Sequence, residues 1–286
     1  MSAVTVQAPA KVNLTLHVTG KRADGYHLLE SLVAFAGIGD TLDLAAADGL
    51  SLALAGPTAA GLSAADDNIV LKAARALAAA AGIAPHAAIT LTKRLPVAAG
   101  IGGGSADAAA ALRGLVRLWG LDIAEDDLRA LGLTLGADVP VCLAGHPTAM
   151  TGVGECLTPA PTLPPAWLVL VNPRRPLSTP AVFKARTGGF SAPAPLTESP
   201  ADAHALAVAL AARRNDLTQA AITLEPVLAD MLALIAAQPG CLLARMSGSG
   251  ATCFGLFADA TTAQPAAAAL TAIQPGWWIA APPLLP

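Results

Sequence analysis

Between Leu95 and Leu112 the chain reads LPVAAGIGGGSADAAAAL. Gly100, Gly102, Gly103 and Gly104 stand within five positions, and Ser105 and an alanine run follow at once. A glycine costs backbone entropy on folding, about 0.5–1 kcal/mol relative to alanine in a regular element. A tight turn needs one glycine, so the others call for a further reason. The first turn of a helix leaves its N–H groups unpaired and carries about half a positive charge. Glycines ahead of it permit positive φ and let those donors approach phosphate oxygens. The stretch is therefore an anion-binding turn between a strand and a helix. It is not a Walker loop, which ends Gly-Lys-Ser/Thr, because Gly104 precedes Ser105. It gives Gly-x-Gly-x-Gly where a dinucleotide fingerprint wants Gly-x-Gly-x-x-Gly, and Asp122 follows the helix directly instead of ending a second strand. A hydrolase elbow, Gly-x-Ser-x-Gly, fails at both Ser105 and Ser249.

Other chemistry-bearing residues lie apart. In LGADVPVCL, Asp138 is a lone carboxylate among apolar neighbours. A buried unpaired charge is costly, so it needs a partner or a task. A helix N-cap two residues before Pro140 explains it equally well, and both readings stay open here. In KVNLTLHV, Val12, Leu14, Leu16 and Val18 alternate with Lys11, Asn13, Thr15 and His17. That period of two is a strand, with Lys11 and Asn13 on one polar face. Tyr26 is the only tyrosine in a chain with 3% aromatic residues. It sits beside the Asp24-Gly25 turn, where a flat ring can stack on a base. Asn68 is placed to cap a helix beginning NIVLKAA, and Asp107 falls in the first turn of the Ser105 helix, where an acid favours the dipole. Ser247, Gly248 and Gly250 mark a tight strand-to-strand turn.

The elements that must position these residues are legible in outline. LLESLVAF, DTLDL, AAITLTKRL, AWLVLV, CLLARMS, TCFGLF and GWWIA read as strands. DDNIVLKAARALAAAAG reads as a helix with Asp and Asn at its start and Gly82 at its end. Further helices are expected from about Ser105 to Trp119 and from about Glu125, at least two between Ala201 and Gln238 broken at Pro226, and an alanine-rich one after TCFGLF. The segment 172–200 is proline-rich and aperiodic, a long loop. TPAPTLPP marks a domain boundary. The expected fold is α+β in two domains, 1–157 and 158–286, with mixed sheets, helices packed on one side and a cleft between.

Composition narrows the function. With 286 residues, 54% hydrophobic and 13% charged, the chain can bury a sizeable core. The net charge of −3 and the lack of a basic run exclude general nucleic-acid binding. The pairs Lys21-Arg22, Arg174-Arg175 and Arg213-Arg214 read as solvated surface. Cys142, Cys156, Cys241 and Cys253 form no Cys-x-x-Cys pair and are expected to be buried free thiols. No zinc motif, signal-peptide core or membrane span is visible, so a cytoplasmic protein that meets no membrane is expected.

Pro96, Gly100, Ile101, Gly102 and Ser105 together make Pro-x-x-x-Gly-Ile-Gly-x-x-Ser. This resembles the phosphate loop of the galactokinase, homoserine kinase, mevalonate kinase and phosphomevalonate kinase superfamily. PAKVNL, GADVP and MSGSGATCF match its further motifs in order. DGYH and GGGSADAA resemble the branch acting on 4-diphosphocytidyl-2-C-methyl-D-erythritol. The resemblance, from about Ala8 to Phe257, implies an ATP-dependent kinase for that substrate's 2-hydroxyl, with Mg²⁺ bridging the phosphates. It implies that Pro96, Gly100–Gly104 and Ser105 wrap the triphosphate, the N-terminal domain binding nucleotide and the C-terminal one substrate. By the same resemblance Asp138 is expected to take the hydroxyl proton, with Lys11 keeping it ionised and Asn13 bonding the substrate. The resemblance also implies that Tyr26 and Phe183 hold cytosine and His27 reads its edge, with Thr179 a lesser contact. Asn68 is a secondary nucleotide candidate, and Ser247 and Gly248 face phosphate loop and substrate. Ala106 stands where many relatives carry a second serine. Another kinase of the superfamily, a Rossmann oxidoreductase and a non-enzymatic nucleotide-binding module are the alternatives.

Overall fold

The computed structural model describes residues 3–65, 67–97 and 99–286. In chain order the strands and helices begin β1 (Ala3–Asn13), β2 (His17–Lys21), β3 (His27–Ala45), β4 (Leu50–Ala55), α1 (Ile69–Ala81) and β5 (Ala87–Thr92). Then come α2 (Gly103–Trp119), α3 (Glu125–Leu135), α4 (Val139–Ala144), β6 (Thr148–Gly152), β7 (Cys156–Pro159), β8 (Trp167–Asn172) and α5 (Thr179–Ala185). The chain ends α6 (Ala203–Ala211), α7 (Thr218–Leu224), α8 (Val227–Ala236), β9 (Leu243–Met246), β10 (Cys253–Phe257), α9 (Ala260–Ile273) and β11 (Trp278–Ala280).

Packing divides these elements into two compact units, each assembled from several stretches of chain. One comprises the N-terminal residues through Ala10, Ile38–Pro96 and Gly102–Gly145; the other comprises Lys11–Gly37, Val97–Ile101 and His146–Pro286.

In the first unit β5 is central. It pairs antiparallel with the end of β3, Leu42 opposite Leu91, and parallel with β4, Leu52 opposite Ile89. Helix α1 is bounded as its sequence dictates. Asn68 Oδ1 accepts the Val70 N–H at 3.0 Å, and Gly82 closes the helix at φ 67°. Helix α2 begins at Gly103, two residues ahead of the expected Ser105, so two glycines lie in its first turn. Its buried face is mostly alanine (Ala106 and Ala108–Ala111) with Leu112 and Leu115, and it packs on α1, α3 and α4. Gly114 brings it against β3: a Cβ there would lie 2.6 Å from Leu44 Cδ1.

The second unit holds a four-stranded antiparallel sheet in the order β11-β8-β10-β9. Val169, Val171, Cys253 and Phe257 of that sheet pack with Leu228, Met231 and Ile235 of α8 and with Ala263, Ala266 and Leu270 of α9. The start of β3 pairs antiparallel with β2 and with β6, which pairs with β7.

Several local expectations change. KVNLTLHV is two strands with a break at Leu14–Leu16, while LLESLVAF and DTLDL are one strand through GIGD. The strands β4, β6 and β7 and the helices α4 and α5 are short, and β4 alternates Leu50, Leu52 and Leu54 with Ser51, Ala53 and Ala55; α5 lies inside the expected long loop. Arg213 and Arg214 are not simply solvated. Arg213 donates to the carbonyls of Ala194, Ala209 and Pro195, and Arg214 to Asp216 and Ser191. All four cysteines are free; Cys142 and Cys253 are buried, but Cys156 is exposed. Among the described residues no helix is long and apolar enough to cross a membrane.

Because Leu112 is fully buried in the α2 contact, Leu112→Ala should destabilise the protein by about 2–5 kcal/mol. The check is a lower urea midpoint with an unchanged slope.

Candidate functional site

In the second unit, three stretches far apart in sequence converge. Lys11 and Asn13 share one side, as the alternation requires, yet they are 3% and 1% exposed. The polar face is therefore an interior one. Lys11 Nζ donates to Asn13 Oδ1 at 2.9 Å, and Asn13 Nδ2 donates to Ser31 Oγ at 2.7 Å. Ser31 Oγ donates in turn to the Thr15 carbonyl at 2.5 Å. The Asn13 carboxamide is thus oriented from both ends.

The Asn13 N–H donates to Ser247 Oγ at 3.1 Å, and that hydroxyl donates to the Gly100 carbonyl at 3.1 Å. The Lys11 N–H meets the Ile101 carbonyl at 3.0 Å, and the Thr252 N–H meets that of Ala99 at 3.0 Å. Gly100 has φ 73°, and a Cβ there would stand 2.3 Å from the Gly250 carbonyl oxygen. Gly248, at φ 55°, would place a Cβ 3.0 Å from the Gly100 oxygen. These two glycines are required by backbone pressed on backbone.

Asn215 is a residue the sequence did not single out. Its Nδ2 donates to the carbonyls of Met246 and Gly248, both at 2.8 Å, and its Oδ1 accepts the Leu217 N–H. Asn172 likewise holds Thr252 Oγ1 at 2.9 Å. Neither asparagine has a local pattern that marks it.

The same unit brings together His27 and Phe183, whose rings stack at 5.0 Å with an interplanar angle of 22°. Phe183 is carried by α5 and not by a loop. Tyr26, 66% exposed, stands outside this stack, its N–H on Asp24 Oδ1. Thr179 Oγ1 lies 2.7 Å from Ser249 Oγ. Burial, and then Lys21 and Arg186, hold the His27 pKa below the ordinary value of 6.5, so the ring is neutral near pH 7.

The first unit carries the rest. Gly102 is the N-cap of α2 at φ 64°, and no side chain caps the helix. Among the described residues, no side chain accepts from the amides of Gly103, Gly104 and Ser105 in the first turn, a fit for an anion. Pro96 is buried before the loop. Asn68 spends its side chain on Val70 N–H and on the Ser63 carbonyl. Asp138 is half-buried at the N-cap position of α4, yet its side chain makes no capping bond there. The capping explanation of that carboxylate is thereby removed. Asp107 lies deeper in α2 than a first-turn acid, and its carboxylate meets Lys93 Nζ at 2.6 Å. Among the described residues no group of three or more His, Cys, Asp or Glu could hold a metal ion.

Residues 68–146 match the GHMP kinases N terminal domain, and residues 198–275 match the GHMP kinases C terminal domain. A 4-diphosphocytidyl-2-C-methyl-D-erythritol kinase of Paramagnetospirillum magneticum is 67% identical over 285 residues, covering 100% of both chains. The chain belongs to the 4-diphosphocytidyl-2-C-methyl-D-erythritol kinase family. A kinase of the same name from Rhodospirillum rubrum is 62% identical, covering 97% of this chain and 91% of that one. A crystal structure of a 4-(cytidine 5'-diphospho)-2C-methyl-D-erythritol kinase superposes with a TM-score of 0.79 at 36% identity, covering 98% of this chain and 99% of that one. Homoserine kinase from Cytophaga hutchinsonii shares the fold, with a TM-score of 0.74 at 18% identity and coverage of 100% and 95%. In this member of the family Ala106, the departure in the loop, is buried in α2.

Gly100→Ala should cost at least about 1–2 kcal/mol from the left-handed backbone alone, with the Gly250 contact adding to it; urea unfolding measures the loss. The His27 ring should titrate below 6.5 by NMR, and Arg186→Gln should move its midpoint upward.

Proposed function

We propose that this kinase transfers the terminal phosphoryl group of ATP to the 2-hydroxyl of 4-diphosphocytidyl-2-C-methyl-D-erythritol, in the cytoplasm, as a step of non-mevalonate isoprenoid synthesis. The observation that carries this is the meeting of the glycine loop at Gly100 with Asn13 and Ser247, in a chain similar over its whole length to kinases of that name. Residues 1–157 would supply the nucleotide contacts and residues 158–286 would complete the substrate's.

Phosphoryl transfer asks mainly for positioning and charge stabilisation. The uncapped first turn of α2, with Gly102, Gly103, Gly104 and Ser105, supplies N–H donors for the polyphosphate. Asp138 accepts the proton of the attacking hydroxyl as its oxygen bonds to phosphorus and the bond from phosphorus to ADP breaks. Lys11 is the cation assigned to act with Asp138 on that hydroxyl. Asn13, fixed by Lys11 and Ser31, directs the hydroxyl. Cytosine stacks on Phe183 and Tyr26, the exposed Tyr26 ring being available for it, and His27 offers a neutral ring to the base edge. Thr179 and Gly248 line the remainder, and Asn68 borders the nucleotide. Mg²⁺ would be held mainly by phosphate oxygens and water. It would neutralise charge on those oxygens.

ADP release coupled to the cytidylyl substrate, and none with plain small alcohols, is the expected result. Release only with small alcohols would assign the chain another substrate. Asp138→Asn should lower kcat by about 10²–10⁴-fold with ATP binding retained; near-normal turnover would remove the base. Tyr26→Ala should raise KM for the cytidylyl substrate about tenfold, as loss of one base stack does.

A further inference from the structure

Lys93 follows β5 directly and has no part in the chemistry above. Its backbone is gripped by the turn after β4. The Lys93 N–H donates to the Ala55 carbonyl at 2.8 Å, and a Cβ on Gly56 would stand 2.2 Å from the Lys93 oxygen. Its ammonium turns inward, 3% exposed, and pairs with Asp40 Oδ2 of β3 and with Asp107 Oδ2 of α2. Asp40 Oδ1 accepts the N–H groups of Arg94 and Leu95 at 2.5 and 2.9 Å, fixing the chain that leads into the glycine loop. Lys93 Nζ is the atom nearest to where a Cβ on Gly103 would stand, at 3.7 Å. The cation thus lies against the first turn of α2. Three buried charges add little stability that apolar residues of the same size would not, whereas they hold geometry well when paired.

We propose that Lys93, clamped by Asp40 and Asp107, is a positioning residue for the nucleotide: it fixes the first turn of α2 so that its amide donors are aimed before the polyphosphate arrives. This rests on the assignment of that turn to the polyphosphate. Fixed donors need no reorganisation on binding.

The cluster's charge supplies a second readout. Among the described residues the charged groups facing Asp107 are Lys93 and Asp40, and Asp107 Oδ1 is buried with no hydrogen-bond partner. Burial, opposed by Lys93 and reinforced by Asp40, pushes the Asp107 carboxyl up to about 7. Below that pH one proton leaves the cluster neutral; above it a net negative charge lies near the anion-binding turn. A raised carboxyl pKa means that the protonated form is favoured by the fold, and this advantage fades as pH rises through about 7.

Calorimetric titration with ADP, at about pH 6 and about pH 8, tests the proposal on wild type, Lys93→Met and Asp107→Asn. Lys93→Met should weaken ADP binding about tenfold and raise KM for ATP, with kcat and the KM of the cytidylyl substrate within about twofold of wild type. Asp107→Asn keeps the Lys93–Asp40 pair and an acceptor for Lys93, so it folds even if Lys93→Met does not. It should match wild type near pH 6 and bind ADP several-fold tighter than wild type near pH 8, the nucleotide's own titration cancelling in the ratio. A folded Lys93→Met with wild-type ADP affinity, or kcat and both KM values worsening together, overturns the proposal. So does a ratio of wild type to Asp107→Asn that is the same at both pH values. If wild type itself binds no ADP, the polyphosphate assignment fails first and the proposal with it.

Discussion

The Ser247 hydroxyl accepts the amide hydrogen of Asn13 and donates to the carbonyl of Gly100, each at 3.1 Å. One buried oxygen thereby fastens a strand end, a glycine loop and a hairpin turn that lie far apart in sequence. The fastening works only because the backbones can touch. Gly100 rests on Gly250 at a separation that excludes a β-carbon, and Gly248 rests on Gly100 where one would be crowded. The Lys11 N–H on Ile101 and the Thr252 N–H on Ala99 then fix the loop on either side of Gly100. A loop held at so many points has one arrangement.

The four glycines of the loop accordingly serve different ends. Gly100 is needed for close approach and Gly102 for a left-handed N-cap at φ 64°. Gly103 and Gly104 sit in a helical first turn with nothing nearer than 3.7 Å to their missing β-carbons. Space at those two positions admits a ligand without steric demand from the protein. A single explanation, phosphate access, covers only part of the run.

Helix α1 was legible to the residue because its signals are local: Asn68 at one end and Gly82 at the other. Helix α2 starts earlier than expected because Gly102 supplies a left-handed N-cap ahead of it, a boundary that glycine, a poor helix former, does not announce in the sequence. Alternation correctly put Lys11 and Asn13 on one side but gave no sign of their burial, since a period of two reports sidedness and not what covers the side. Strand β3 continues through GIGD because Asp40 is satisfied by Lys93, Arg94 and Leu95, partners that no local pattern reveals. The resemblance implied a base between Tyr26 and Phe183 with His27 at its edge; the ring stacked on Phe183 is that of His27, a pairing that neither the resemblance nor the spacing announced. The contacts of Asn215, Asn172 and Ser247 span long stretches of chain and are invisible to any window of sequence.

The buried polar groups around Asn13 are satisfied almost without remainder, and this explains how such a site can be both polar and rigid. Arg245 shows the extreme case. It is 9% exposed and donates to the carbonyls of Leu14, Leu210 and Arg213. Burial lowers its pKa to about 10, so it is still a cation at neutral pH. Three carbonyl dipoles disperse that charge and at the same time pin Leu14, the residue after Asn13. Networks of this kind strengthen in a low-dielectric interior when complete and become costly when broken. The orientation of Asn13 is thus secured from its side chain by Lys11 and Ser31, from its amide by Ser247 and from the next residue by Arg245. A group held from three directions has lost its freedom during folding, so its rigidity comes with the fold.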